Sequence, residues 1–215
     1  MFGDFMNTNY HLLCEKEIQK LDKVKKLLLH CCCAPCSSYV ISFLSNYFDI
    51  TVLYYNPNIY PKEEYLKRKE EQIRLIKELK TKNKLDFIDC DYENDKYEEA
   101  IKGLEKCIEG GNRCQICFKL RLEKTAQIAK LRNYDYFTTT LTVSPHKNAK
   151  LINEIGSSLE NIYKIKWLYA DFKKKKVINS LSTYQNNITY IDKVTVDANI
   201  QKCLVQTKRF FIISY

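Results

Sequence analysis

The chain has 215 residues, 45% of them hydrophobic, which is enough to bury the core of one domain with a small appendage. It has no apolar run of membrane-spanning length, and residues 1–20 lack the apolar centre of a secretion signal, so we expect a cytoplasmic protein without a membrane partner. The formal net charge of +9 excludes an acidic protein and favours a polyanionic partner such as a nucleic acid. In such a compartment the ten cysteines are reduced thiols or metal ligands rather than a disulfide framework.

The first predicted elements lead into a run of cysteines. Residues 10–24 have helical apolar spacing, and we interpret residues 1–24 as an N-terminal helical extension whose His11 and Cys14 are not ligands. An apolar strand over residues 25–30 is followed by His30-Cys31-Cys32-Cys33-Ala34-Pro35-Cys36. Crowded thiolates repel one another unless a soft cation or redox chemistry removes their charge, so this run favours a metal site or a thiol–disulfide site. The alternative is that these cysteines pack as small hydrophobic residues.

The next elements predict a binding edge. A helix beginning near Cys36 would direct its positive end at the cysteine loop and stabilise thiolates there. A second strand over residues 49–55 ends at Asn56, and a long charged helix runs from residue 61 to about residue 80. Open α/β folds place substrate contacts near such helix starts, so we predict substrate-binding roles for Tyr60, Glu64, Tyr65 and Arg68.

A second cysteine motif follows the third predicted strand, which covers residues 85–89. After a helix over residues 91–107 and a glycine-rich break, Cys114 and Cys117 form a Cys-x-x-Cys beside the start of a helix that reaches residue 131. Alone, this motif fits zinc, an iron–sulfur cluster or a redox dithiol. Two cysteines from each stretch would supply four thiolates, and we predict that folding brings the two stretches together.

The remaining elements complete an α/β pattern. They are a strand over residues 135–141, a helix opened by residues 144–148, and a strand near residues 163–169. Alternating strands and helices predict a parallel sheet with helices on both faces. Sites in such folds gather at the carboxyl ends of the strands, where His30, Asn56, Asp89 and Thr140 fall.

Five motifs are spread over about residues 25–173. They are His30-x-Cys32-Cys33-Ala34-Pro35-Cys36, Tyr55-Asn56-Pro57-Asn58-Ile59, Arg113-Cys114-x-x-Cys117 with Arg121-Leu122, Thr138-Thr139-x-Leu141 with Ser144-x-His146-Lys147, and Asp171-Phe172-Lys173. With these motifs the chain resembles the epoxyqueuosine reductase QueH family. The resemblance implies an adenine-nucleotide-hydrolase-like α/β fold (HUP, Rossmann-like) in a catalytic domain over residues 25–172. It also implies an oxidoreductase of queuosine biosynthesis that removes the epoxide oxygen of epoxyqueuosine in tRNA by two-electron reduction.

The resemblance also implies a site. It places a [4Fe-4S] cluster on Cys32, Cys33, Cys114 and Cys117, and an electron donor that the sequence does not identify. Cys31 replaces an aliphatic residue usual in the family, and Cys36 is a candidate for a second mononuclear metal or for support of the cluster ligands. We further expect His146 as a proton donor, Tyr60 or Tyr65 stacked on the modified base, and substrate binding by Arg121 and Lys147.

Residues 173–215 depart from the family pattern. They lack the Cys-Gly-Cys that in the family forms a redox-active disulfide, and they contain only Cys203. In another reading frame, the codons of residues 176–178 and 190–199 can spell Gly-Tyr-Lys and a segment containing Tyr-Cys-Gly-Cys. The tail is therefore either out-of-frame translation or a genuine divergent segment, which the gene's nucleotides would decide. A genuine tail predicts little turnover, because the electron relay is missing.

Two other functions remain open from the sequence. One is a nucleotide-dependent tRNA-modifying enzyme of the same fold, such as a thiolase, although the loop after the first strand lacks the Ser-Gly-Gly that would bind pyrophosphate. The other is a zinc-binding module that holds RNA. Iron and sulfide analysis separates a zinc module from an iron–sulfur enzyme.

Overall fold

The computed structural model describes residues 8–173, in which strands and helices alternate and confirm the α/β class. The strands are β1 (Lys25–His30), β2 (Phe48–Tyr54), β3 (Leu85–Asp89), β4 (Tyr136–Thr139) and β5 (Lys166–Trp167). The helices are α1 (Tyr10–Gln19), α2 (Ala34–Leu44), α3 (Lys62–Glu78), α4 (Asn94–Ala100), α5 (Asn112–Leu131) and α6 (Ala149–Tyr163), and a 3-10 turn (Thr140–Val143) follows β4.

The five strands form one parallel sheet in the order β3-β2-β1-β4-β5. β1 lies at the centre, where Leu29 pairs with Val52 on one side and Thr138 on the other. A central parallel strand is buried on both faces, which explains the three consecutive leucines of β1, Leu27 to Leu29. This strand order fits the adenine-nucleotide-hydrolase-like expectation.

Successive residues of the strands face two separate hydrophobic cores, as the pleat requires. Leu27 and Leu29 belong to the first core, which α2 closes with Val40 and Ile41. Leu28 belongs to the second core, which contains residues of α5 and α6. Helices therefore cover both faces of the sheet, as predicted.

Helix α1 packs on the sheet rather than standing apart from it. Its Cys14 and Ile18 lie in the first core, and Cys14 is fully buried. The hydroxyl of Tyr136 at the start of β4 donates to Glu17 Oε1 at 2.8 Å. The predicted N-terminal extension thus contributes to the core of the described part of the chain.

Several boundaries differ from the prediction, among them those of α4 and α2. The helix expected over residues 91–107 ends at Ala100, because Gly103 takes a φ of +81°, which is outside the helical region. α2 begins at Ala34 rather than near Cys36, since Pro35 suits the first turn of a helix and Cys33 serves as its N-cap.

The end of the described chain is fixed by α6. Asn153 Nδ2 donates to the Ala170 carbonyl at 2.9 Å, and Asn153 Oδ1 accepts from Trp167 Nε1 at 3.0 Å.

In the part of the chain that the structure describes, none of the helices is both long and apolar enough to cross a membrane. The tail predicted over residues 173–215 lies, after its first residue, outside the described residues.

Candidate metal centre

The candidate site lies at the carboxyl edge of the sheet. β1 ends there at His30, and α2 begins four residues later at Ala34. α5 and α6 run back toward the starts of β4 and β5, so their N-termini lie at this same edge. Helix N-termini carry partial positive charge, so this edge favours bound anions and thiolates.

Three thiols meet where the loop after β1 enters the first turn of α2. The Sγ atoms of Cys32, Cys33 and Cys36 all lie within 4.8 Å of one another. Cys32 Sγ and Cys33 Sγ are 3.8 Å apart. Two thiolates bound tetrahedrally to one ion at about 2.3 Å would lie about 3.8 Å apart, so this donor set fits a thiophilic metal.

Charge within this cysteine group is concentrated on Cys32. Hydrogen bonds from Cys33 and Cys36, with the nearby charge of Lys147, hold the pKa of Cys32 well below its usual value. The pKa of Cys36 is raised, chiefly because its thiol donates to Cys32. Without a metal, Cys32 is therefore the thiolate of the group, and thiolates are the form that binds metal.

Backbone and hydroxyl groups fix the loop that holds these cysteines. Cys32 N–H donates to Thr140 Oγ1 at 3.4 Å, and Ser37 Oγ donates to the Cys33 carbonyl at 2.7 Å. Asn56 Nδ2 donates to the Cys31 carbonyl at 2.9 Å. Ser37 is not among the residues predicted from the sequence. Only its spacing of four residues from Cys33 could have suggested that its hydroxyl contacts the Cys33 carbonyl.

Cys31 belongs to the core and not to the cysteine group. Its side chain is fully buried in the first core, and burial raises its pKa, so it stays a protonated thiol. Cys31 thus packs as a small hydrophobic residue.

Cys114 and Cys117 lie in the first two turns of α5, at the same edge of the sheet. Gly110 N–H donates to Cys114 Sγ at 3.3 Å, and Cys117 is 8% exposed. Cys32 and Cys114 both pack against the second core. Within residues 8–173, however, the one group of three or more possible metal ligands with all ligand atoms within 4.8 Å of one another is Cys32, Cys33 and Cys36, and it includes neither Cys114 nor Cys117.

The substrate-binding residues predicted near α3 differ in accessibility. Tyr60 is 67% exposed just before the helix, whereas Tyr65 is 1% exposed and donates its hydroxyl to the Cys90 carbonyl at 3.1 Å. Tyr60 is therefore the tyrosine available for stacking. Arg68 Nε donates to Glu64 Oε1 at 2.7 Å, so these two predicted residues form an ion pair.

The other predicted polar residues lie at different depths in the protein. His146 is exposed and Lys147 is half-buried in the loop before α6. Arg121, on α5, is only 3% exposed. His30 is fully buried, with Nδ1 2.8 Å from Thr139 Oγ1 and Nε2 3.0 Å from the Tyr55 carbonyl.

Comparison with known proteins places the chain in a family. A model of the family "Epoxyqueuosine reductase QueH" matches residues 27–192. The chain is 41% identical over 178 residues to the protein of that name from Streptococcus pyogenes serotype M1, covering 79% of this chain and 70% of the relative. It is 47% identical over 155 residues to the one from Staphylococcus epidermidis, covering 70% and 65%. The chain belongs to the epoxyqueuosine reductase QueH family.

Proposed function

We propose that the chain is an oxidoreductase that reduces epoxyqueuosine in tRNA to queuosine. The reaction removes the epoxide oxygen as water, consumes two electrons and two protons, and leaves a carbon–carbon double bond. The observation that carries the proposal is the group of Cys32, Cys33 and Cys36 at the carboxyl edge of the sheet, in a chain whose relatives bear this name. The expected tRNA partner agrees with the net charge of +9.

The proposed cofactor is a [4Fe-4S] cluster held by Cys32, Cys33, Cys114 and Cys117. Support comes from the low pKa of Cys32 and from the position of the Cys-x-x-Cys at the start of α5, which faces the same edge. Such a cluster, when bound, would pass electrons one at a time, and a neighbouring second metal would polarise the epoxide oxygen. Cys36, within 4.8 Å of Cys32 and Cys33, is the candidate ligand of a second mononuclear metal.

The chain's own residues would bind the tRNA and supply protons. Tyr60 offers an exposed ring for stacking on the modified base. Lys147 can bind phosphate, and the ion pair of Glu64 and Arg68 lies at the start of α3, close to Tyr60. His146, exposed beside Lys147, is the proposed proton donor to the leaving oxygen.

A zinc-binding module that holds RNA is the second candidate. The 3.8 Å between Cys32 Sγ and Cys33 Sγ supports it, because two thiolates on one ion have this spacing. The two candidates differ in colour, sulfide content and turnover.

The test combines anaerobic metal analysis with a turnover assay on epoxyqueuosine-tRNA and a low-potential chemical reductant. We expect a brown protein with iron and sulfide that yields queuosine-tRNA, with little turnover if the tail is genuine, because the tail lacks the Cys-Gly-Cys relay. Cys32→Ser should lose both iron and turnover, whereas Cys107→Ser, a change outside the proposed ligands, should keep both. A colourless zinc protein that binds tRNA without turnover would contradict the reductase proposal and support the zinc-binding RNA module.

A further inference from the structure

Arg121 is a buried cation beside the candidate metal centre. It lies on α5 one turn after Cys117, and its side chain folds back so that Nε donates to the Cys117 carbonyl at 3.1 Å. The residue is 3% exposed. Its guanidinium is thus held against the turn that carries one proposed cluster ligand.

The charge of Arg121 is unbalanced within residues 8–173. In that range no carboxylate oxygen lies within 4.0 Å of the guanidinium, although other arginines there, such as Arg68 and Arg74, pair with glutamates. Its terminal nitrogens donate to none of the acceptors described. A buried guanidinium stays charged and is costly to leave unpaired, so the arrangement calls for an anion.

The neighbours that the structure shows do not supply that anion. The guanidinium carbon lies 5.8 Å from the centre of the Phe118 ring, which offers only a weak cation–π contact. Both ring nitrogens of His30 are already engaged, Nδ1 with the Thr139 hydroxyl and Nε2 with the Tyr55 carbonyl. Neither neighbour therefore supplies a negative charge.

The depth of Arg121 also selects the kind of anion. Phosphates of a tRNA lie outside the protein and bind exposed or half-buried cations such as Lys147. Arg121 is only 3% exposed as a residue, much less than Lys147, and it lies at the same edge of the sheet as the cysteines of α5 and of the cysteine loop. A metal bound by four thiolates carries net negative charge at that place.

We propose that Arg121 is the buried counter-charge of the thiolate centre formed by Cys32, Cys33, Cys114 and Cys117. This inference rests on the proposed function and changes the predicted role of Arg121 from binding tRNA to retaining the cofactor and setting its potential. A nearby positive charge stabilises the reduced, more negative state. Removal of Arg121 therefore lowers the reduction potential and weakens cofactor retention.

The test compares Arg121→Gln, Arg121→Lys and Arg132→Gln with the wild-type chain. Arg132 is an exposed arginine at the far end of the same helix and serves as the matched control. Two quantities are measured anaerobically on full-length protein: the reduction potential and the rate of iron loss to a chelator. We expect Arg121→Gln to lose iron about 10- to 100-fold faster and to show a more negative potential. Arg121→Lys, which keeps the charge, should stay nearer wild type, and Arg132→Gln should match wild type.

Thermal unfolding of the metal-free proteins separates this role from a purely structural one. Without the cofactor the guanidinium has no anion, so Arg121→Gln should unfold at the same temperature as wild type or higher. With the cofactor bound, it should unfold at a lower temperature than wild type. Failure of metal-free Arg121→Gln to fold, or an unchanged potential and rate of iron loss, would overturn the proposal.

The role of Arg121 can be tested even if the proposed reductase activity is absent. If wild-type protein contains zinc and no sulfide, the reductase proposal fails, and the counter-charge is then tested by zinc affinity. Arg121→Gln should bind zinc about 10- to 100-fold more weakly than Arg132→Gln. Equal zinc affinities would reject the role of Arg121 in that case.

Discussion

The imidazole of His30 and the hydroxyl of Thr139 lie 2.8 Å apart at the carboxyl ends of neighbouring strands, directly before the cysteine loop. Because Nε2 faces the Tyr55 carbonyl, it carries the proton, and Nδ1 accepts from Thr139. Thr139 Oγ1 in turn accepts from the Leu141 N–H at 3.1 Å. One hydroxyl therefore ties β1 to the turn after β4.

Thr139→Val should destabilise the protein by about 1–3 kcal/mol, because it leaves a buried imidazole nitrogen and a backbone N–H without partners. Thr142 is the matched control, since its buried Oγ1 has no hydrogen-bond partner among the described residues. Thr142→Val should be neutral or stabilising. Urea denaturation measures both changes, and equal losses of stability would contradict the assigned hydrogen bonds.

Acid should destabilise the metal-free protein through His30. Its pKa is lowered from 6.5 to about 3 by burial first and by the charge of Arg121 second. Between those values the unfolded chain binds a proton at His30 and the folded protein does not, so the free energy of unfolding falls as the pH falls below about 6.5. The loss approaches about 1.4 kcal/mol per pH unit.

Urea denaturation between about pH 7 and pH 5 measures this slope. The His30→Gln variant should lose this part of the pH dependence, although it is less stable at neutral pH. A variant with the same slope as wild type would show that His30 is not buried in its neutral form.

Gly156→Ala should destabilise the protein by more than about 1 kcal/mol, because an added Cβ would meet the ring of Trp167 at 2.2 Å. The ring has little room to move, since Trp167 Nε1 is bonded to Asn153 and the ring packs 5.0 Å from that of Phe137. Ser158→Ala, on the exposed face of α6, is the control. Thermal unfolding of both variants measures the effect. Equal melting temperatures would contradict the proposed steric clash with Trp167.

Metal content should separate the two cysteine sets. If the four-cysteine cluster is correct, Cys114→Ser loses most iron and sulfide, while Cys36→Ser keeps the cluster and loses at most a second metal. If one ion sits on Cys32, Cys33 and Cys36, Cys36→Ser loses the metal and Cys114→Ser retains it. Elemental analysis and the visible absorption spectrum measure both, with Cys107→Ser as the control.

Tyr60→Ala should weaken tRNA binding without affecting stability, because the ring is 67% exposed and stacking on one base contributes about 1–3 kcal/mol. The dissociation constant for epoxyqueuosine-tRNA should rise by roughly tenfold or more. Tyr60→Phe keeps the ring and should bind like wild type. Tyr47→Ala removes another exposed tyrosine, located after α2, and a similar effect there would indicate nonspecific binding.

Much of the fold was predictable because its signals are local. The bounds predicted for β1 and β3 agree with the structure, since β1 contains three consecutive buried leucines and β3, at the sheet edge, is a short stretch of apolar residues mixed with aspartates. The end of α4 at Ala100 was not predicted, because the apolar spacing of a sequence does not show that Gly103 adopts a positive φ. The cysteine loop was identified from its composition alone. The three-dimensional structure was needed to show that Cys31 packs in the first core, whereas the thiol of Cys36 lies within 4.8 Å of those of Cys32 and Cys33.

The sequence by itself determined the alternation of strands and helices, the presence of two cysteine stretches and the family resemblance. Only the tertiary structure decided the strand order, the burial of Tyr65 and the isolation of the Arg121 charge. These features depend on which distant segments pack together, because the accessibility of a side chain and the partners of a charge are set by neighbours remote in sequence. No local pattern of residues specifies those neighbours.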